Sequence, residues 1–389
     1  MTDIIKPFKF SRSHQGAYQE CPRKGHLRYY ADGTGYESAR VDVAQSSGSL
    51  LHSALEVITS HLKDTDTLPT DAVVDSAIGL AVAKYKGEVL ERGFDIDQTG
   101  DMVVELARQS ALVEGLVRAW VRIRLPGLHR QFRVLAVEEE WEIPLDEAGE
   151  IVCMVRIDAV LEDRETRDLW PLEIKTTGWM DDAYLEKWRY DSQTLMHCWA
   201  AEKHYGRPSA GVKVEVFYKG AKGKDRTTDE PVWYSPFLRC YRKRGVPPFE
   251  SDEVSWDSAM GRRKGWEPWN VWEGGTIKEW VALMPEDLMG RQLFGVDVYR
   301  NEFETAVWLE QTILEQRRVR DALEQIEYTK DPNGLIMSDV FPARLNADCF
   351  NNKFRRKCHF LPVCWEGMEP GETDLYRVRE PHHEGEFDA

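Results

Sequence analysis

Residues 168–178 read DLWPLEIKTTG, a strand-like apolar run that carries a glutamate and a lysine. Strand side chains alternate between faces, so Glu173 and Lys175 project to the same side. The preceding apolar run, IVCMVRIDAVLED (151–163), reads as a strand and places Asp158 between Ile157 and Ala159. A polar stretch, DRETRD, separates the two runs and predicts a hairpin. An isolated ionised aspartate is costly to bury, and two carboxylates meeting across a hairpin repel. A hard divalent cation shared by Asp158 and Glu173 offsets both costs, and carboxylate oxygens suit Mg²⁺ or Mn²⁺. Lys175 then lies within reach of the water that the cation polarises. Phosphodiester hydrolysis needs those parts: a Lewis acid, a placed water and positive charge for the phosphorane. A buried Asp–Lys–Glu ion-pair cluster is the other reading of the same residues.

Working outward, GSLLHSALEVITSHL (48–62) has the apolar period of a helix and carries His52, with Glu56 one turn on as a partner for the imidazole. Residues 70–126 hold two long amphipathic helical patterns. FRVLAVEEEWEIPL (132–145) reads as a strand, residues 182–204 as a helix, and GVKVEVFYKG (211–220) as a further strand. Gln193 opens a polar face on the 182–204 helix, with Tyr190 and His197 beside it. Helix, strand meander, helix and strand make an α/β core. The expected organisation is an N-terminal segment (1–47) and a core at 48–220 with a helical insertion at about 65–130. A Trp-rich irregular insertion (221–296), a C-terminal helix and Cys-bearing segment (297–366) and an acidic tail (367–389) follow.

The formal net charge of −16 argues against a protein that binds nucleic acid by bulk charge alone. Basic clusters such as KFRRK (353–357) leave room for a focused positive cleft. No apolar run approaches the length of a membrane span, and the N-terminus lacks a secretory leader, so a cytoplasmic location is expected, that of the host if the chain is viral. Seven cysteines in such a chain point to metal ligation or core thiols rather than disulfides.

The order Gly48-x3-His52, Asp158, Glu173-x-Lys175, Gln193 resembles the PD-(D/E)xK nuclease superfamily in its RecB/AddB-type branch, related to the CRISPR-adaptation nucleases. The resemblance implies a restriction-endonuclease-like fold, a mixed central sheet flanked by helices, with helical insertions and a C-terminal iron–sulfur segment. It implies His52, Asp158, Glu173 and the backbone carbonyl of Ile174 as ligands of Mg²⁺ or Mn²⁺, Lys175 as the catalytic lysine and Gln193 as the start of a helix motif. The tyrosine usual four residues after that glutamine is His197 here, and Tyr190 is its candidate substitute. The implied function is a metal-dependent deoxyribonuclease, an exonuclease by preference, acting in recombination, repair or phage DNA processing. DNA is the implied substrate, as single strands or duplex ends, with a helicase or recombination protein as partner and no membrane. Alternatives are a DNA-binding subunit with little catalysis and an end-trimming nuclease of the CRISPR-adaptation kind.

Cys21, in YQECPRKGHLRYY, and Cys349, Cys358 and Cys364 resemble the cluster ligands of the iron–sulfur members of that branch. The gap of five residues between Cys358 and Cys364 is kept, while eight rather than two residues separate Cys349 from Cys358. Four thiolates suit a structural [4Fe–4S] cluster, with tetrahedral zinc as the alternative. Cys153 and Cys198 read as core thiols, and Cys240 has no assigned role. Arg355 and Arg356 are candidates for phosphate contact. Trp266 and Trp269 either stack unpaired bases or pack the insertion.

Overall fold

The computed structural model describes residues 7–39, 43–91, 100–224, 231–245, 254–256, 260, 263–274, 277–330, 335–344, 349, 357–381 and 383. In chain order the elements are β1 (Phe8–Ser11), α1 (Arg12–Glu20), α2 (Pro22–Tyr29), β2 (Tyr36–Ser38), α3 (Val43–Thr65), α4 (Asp71–Glu91), α5 (Gly100–Ile123) and α6 (Leu125–Gln131). Then come β3 (Phe132–Val137), β4 (Glu140–Pro144), β5 (Ile151–Arg156), β6 (Ala159–Asp163), β7 (Leu169–Thr177), α7 (Asp182–Glu186), α8 (Ser192–Tyr205) and β8 (Gly211–Tyr218). The remainder is β9 (Ala221–Lys224), β10 (Pro231–Tyr234), β11 (Arg239–Lys243), β12 (Val254–Ser255), β13 (Trp266–Asn270), α9 (Val271–Gly274), α10 (Ile277–Leu283), α11 (Glu286–Gly290), β14 (Leu293–Tyr299), α12 (Glu302–Thr329), α13 (Leu335–Val340), α14 (Leu361–Glu366) and β15 (Tyr376–Val378). The chain divides into two units, one of residues 1–41, 140–156 and 300–389, the other of 42–139 and 157–299.

The second unit is built on a five-stranded mixed sheet in the order β14-β8-β7-β6-β3. β7 and β8 are parallel, and the other neighbours are antiparallel. One face carries Leu161, Trp170, Leu172 and Ile174 into a large core with Leu51, Leu55 and Ile58 of α3 and Leu112, Leu116 and Trp120 of α5. The other face sets Val212, Val214 and Val216 of β8 against Trp188 and Cys198. Helices therefore cover both faces of a mixed α/β sheet, as expected. Burial of apolar side chains on both faces, at about 25 cal/mol per Å², stabilises the packing of the sheet against these helices.

Three expectations change. First, neither long strand is continuous: β3 ends at Val137 and β4 starts at Glu140, while β5 ends at Arg156 and β6 starts at Ala159. The β6–β7 hairpin itself forms, with Ala159 opposite Leu172. Secondly, the helix expected over 182–204 is broken. α7 stops at Glu186, and Asp191 caps a new helix by accepting from the Gln193 amide at 2.9 Å. Gly206 ends α8 in the left-handed region at φ 66°, which glycine adopts without strain. Thirdly, the described residues of 221–296 include small antiparallel sheets and short helices, and β14 completes the central sheet. Trp269 and Trp256 pack on the fully buried Trp280, with ring centroids 5.4 and 5.3 Å apart, and Cys240 is buried in the same core.

The first unit has a three-stranded sheet in the order β1-β5-β4 and a two-stranded sheet of β15 and β2. The segment expected as an acidic tail thus docks as a strand at 376–378, anchored by the buried Arg379, which donates to the Arg28 carbonyl at 3.1 Å. α12 begins at Asn301 with a reciprocal capping box to Glu304. No helix among the described residues is long and apolar enough to cross a membrane.

Candidate active site

Two chain interruptions and three regular elements, α3, β7 and α8, assemble the site in the second unit. α3 supplies His52; it starts at Val43, before the expected boundary, and its apolar side is fixed in the core by Leu51, Leu55 and Ile58. β7 supplies Glu173 and Lys175. Asp158 sits directly before β6, and Glu138 directly after β3. The Glu138 amide donates to the Asp158 carbonyl at 3.3 Å, so the two interruptions lie side by side.

Asp158 is held from two directions. Its Oδ1 lies 3.2 Å from His52 Nδ1, and its Oδ2 accepts from the Ile174 amide at 2.6 Å. The partner of His52 is thus Asp158 rather than the expected Glu56, which is exposed. Glu173 is 2% exposed. Such a buried carboxylate needs partners; it has two, Lys175 and Gln193, with the His197 ring close beside it. The Lys175 ammonium pairs with Oε1, Gln193 Nε2 donates to Oε1 at 2.9 Å, and His197 Nδ1 lies 3.2 Å from Oε2. His197 therefore occupies the place next to the carboxylate, whereas Tyr190 is 78% exposed.

The electrostatics follow from this pairing. Burial opposes the charged form of His52, but the charge of Asp158, its hydrogen bond and the charge of Glu173 outweigh it and raise the imidazole to about 9. Burial also opposes the Asp158 carboxylate, yet His52, Lys175 and the Ile174 amide lower it to about 2. Lys175 is held above its ordinary range, with Glu173 and Asp158 overcoming burial. Burial dominates at His197 and keeps that imidazole neutral at physiological pH.

One ligand atom each from His52, Glu138 and Asp158 fall within 4.8 Å of one another. An imidazole and two carboxylates suit a hard or borderline divalent ion. Glu138 was not singled out from the sequence, because it is one of three consecutive glutamates in a run read as one strand. Glu173 lies outside that trio in this arrangement, engaged by Lys175 and Gln193.

In the first unit, Cys21, Cys349, Cys358 and Cys364 line a single cavity with Lys24, Arg344 and Phe360. The Cys358 amide donates to the Cys349 carbonyl at 2.7 Å, and the Arg344 amide to Cys21 Sγ at 3.5 Å. Four converging thiols form a soft donor set. Burial raises the Cys364 thiol to about 11, with Cys358 adding to it. Trp269 is half-buried in the core of the second unit, and Trp266 begins β13 half-buried. Arg355 and Arg356 lie outside the described residues.

The family model of the PD-(D/E)XK nuclease superfamily matches residues 9–364 of the chain. No curated protein matches the chain.

Proposed function

Because this chain belongs to the PD-(D/E)XK nuclease superfamily, we propose that it is a Mg²⁺- or Mn²⁺-dependent deoxyribonuclease, acting as an exonuclease on DNA ends in recombination, repair or phage DNA processing. The observation that carries the reading is the convergence of His52, Glu138 and Asp158. These three would hold the ion, with Glu173 and the Ile174 carbonyl as further ligands. The ion would polarise the scissile phosphate and lower the pKa of the attacking water.

The protein's own groups do the rest. Asp158, locked by the Ile174 amide, stays ionised at every physiological pH. Lys175 supplies positive charge where the phosphorane develops and can orient the water. Gln193 fixes the carboxylate of Glu173, and neutral His197 closes the buried side without adding charge. His52 must release its proton before its nitrogen can ligate.

The thiol cavity of the first unit fits a structural [4Fe–4S] cluster on Cys21, Cys349, Cys358 and Cys364, as in the iron–sulfur members of the RecB/AddB branch; zinc is the rival occupant. A helicase or recombination protein is the partner class that an exonuclease of this kind serves, and a cytoplasmic setting accords with free thiols. The test is digestion of end-labelled linear against covalently closed circular DNA with Mg²⁺ or Mn²⁺. Loss of linear DNA alone supports the exonuclease; cutting of circles makes the enzyme an endonuclease. No hydrolysis of either leaves a DNA-binding subunit.

A further inference from the structure

The loop that joins Lys175 to Gln193 presents two exposed aromatic rings. Trp179 is 60% exposed and Tyr190 is 78% exposed. Among the tryptophans of the second unit whose side chains are described, no other is more than about a third exposed. Exposure of a single aromatic is ordinary. What sets Trp179 apart is that it is pinned while exposed. Its amide donates to Thr177 Oγ1 at 3.1 Å, and the same hydroxyl donates to the Trp179 carbonyl at 2.6 Å. Its indole Nε1 donates to Asp181 Oδ2 at 2.7 Å, while Asp181 Oδ1 caps α7 through the Tyr184 amide at 2.7 Å. The ring's edge is held and its orientation set before any ligand arrives, so a ligand stacking on it loses little further side-chain freedom.

Position gives the ring a use. Trp179 lies four residues beyond Lys175, at most roughly 14 Å along extended chain. Tyr190 lies three residues before Gln193. The Lys175 ammonium lies 5.7 Å from the ring centroid of Trp188 in the same segment, so the loop packs beside the lysine, within reach of bases that neighbour a phosphate held there. Lys187, whose ammonium lies 4.2 Å from the Tyr184 ring centroid, and Arg189 add positive charge to the same segment.

We propose that residues 178–191 form a base-stacking platform, with Trp179 and Tyr190 taking unpaired nucleobases that flank the scissile phosphate, so that the site selects single-stranded DNA ends. The inference rests on the nuclease reading and adds its substrate preference. A base inside a duplex keeps both faces stacked on its neighbours, so a ring beside the strand is open only to bases that are unpaired.

The test uses the full-length protein in EDTA with a single-stranded oligonucleotide carrying 2-aminopurine near its end, whose fluorescence falls on stacking. Wild type is expected to quench the probe. Trp179→Ala should abolish most of the quench and weaken binding by about 5- to 150-fold, and Trp179→Phe should restore both in part. Tyr190→Ala, at a position exposed enough to leave folding untouched, should give a smaller loss. Quench and affinity unchanged in Trp179→Ala and Tyr190→Ala, with DNA still bound, overturn the platform and leave the nuclease standing. Wild type that neither binds the oligonucleotide nor cleaves DNA with Mn²⁺ removes both.

Discussion

The amide of Glu138 and the carbonyl of Asp158, 3.3 Å apart, join the two places where the β-chain is interrupted. Glu138 adopts φ 49°, a left-handed conformation that costs a non-glycine residue about 1 kcal/mol or more. Strain of this kind is tolerable where the side chain has a task. Glu138→Gly is expected to keep or raise the melting temperature and to weaken Mn²⁺ binding by at least about tenfold. Glu138→Gln, which keeps the backbone strain, should lose the ion equally without the gain in stability. Unaltered metal affinity in both variants excludes the residue as a ligand.

Lys175 pairs with the buried Glu173, so its removal acts twice. Lys175→Ala should lower kcat by about 100- to 1000-fold through lost transition-state charge. It should also cost about 1–3 kcal/mol of stability, because Glu173 loses a partner. Single-turnover cleavage at saturating Mn²⁺ and urea unfolding separate the two effects. A variant that unfolds earlier yet cleaves at the wild-type rate assigns Lys175 to structure alone.

Gln193 acts through Glu173. Gln193→Leu keeps the bulk on α8 but removes the 2.9 Å hydrogen bond. The expected outcome is a kcat lowered about tenfold with KM for DNA nearly unchanged, since the lost interaction fixes a carboxylate rather than the strand. An effect on KM alone would make Gln193 a DNA contact instead.

His26 in the first unit is buried against Phe341, with ring centroids 4.9 Å apart. Burial, helped by Arg23, lowers its pKa to about 4, against the opposing charge of Asp32. The unfolded chain therefore takes up this proton first as pH falls. Stability is full above about pH 6.5 and declines down to about pH 4, at about 1.4 kcal/mol per unit for this one group. Urea midpoints between pH 7 and 4.5 should fall less steeply in His26→Leu than in wild type. Parallel slopes would assign the acid sensitivity to other groups.

How much of this was legible in the sequence follows from local pattern. The alternation in β7 placed Glu173 and Lys175 on one face, and the apolar period of α3 presented His52. Asp158 stood out as a charge in an apolar run, and the β6–β7 hairpin followed from its polar turn. Glu138 was hidden because Glu138, Glu139 and Glu140 are chemically equal in sequence, and only the end of β3 distinguishes the first. The break before α8 was hidden too: Asp191 reads as one more polar residue until its side chain is seen capping the helix. β14 alternates, yet its partner β8 lies some 80 residues earlier, beyond any local pattern. The docking of β15 on β2 was equally invisible, since acidic composition alone suggested a solvated tail.

The thiol cavity makes a separate prediction. Purified protein should carry iron and acid-labile sulfide with visible charge-transfer absorbance, and Cys358→Ser should lose both and melt at lower temperature. Zinc in place of iron, with a colourless protein, would identify the other tetrathiolate occupant.

The central claim is that His52, Glu138 and Asp158 grip one divalent ion. Calorimetric titration of wild type and Asp158→Asn with Mn²⁺ tests it most directly. The account predicts saturable binding with proton release in wild type and an affinity at least about tenfold weaker in a folded Asp158→Asn. Equal affinities in the two proteins, or none in the wild type, would contradict it.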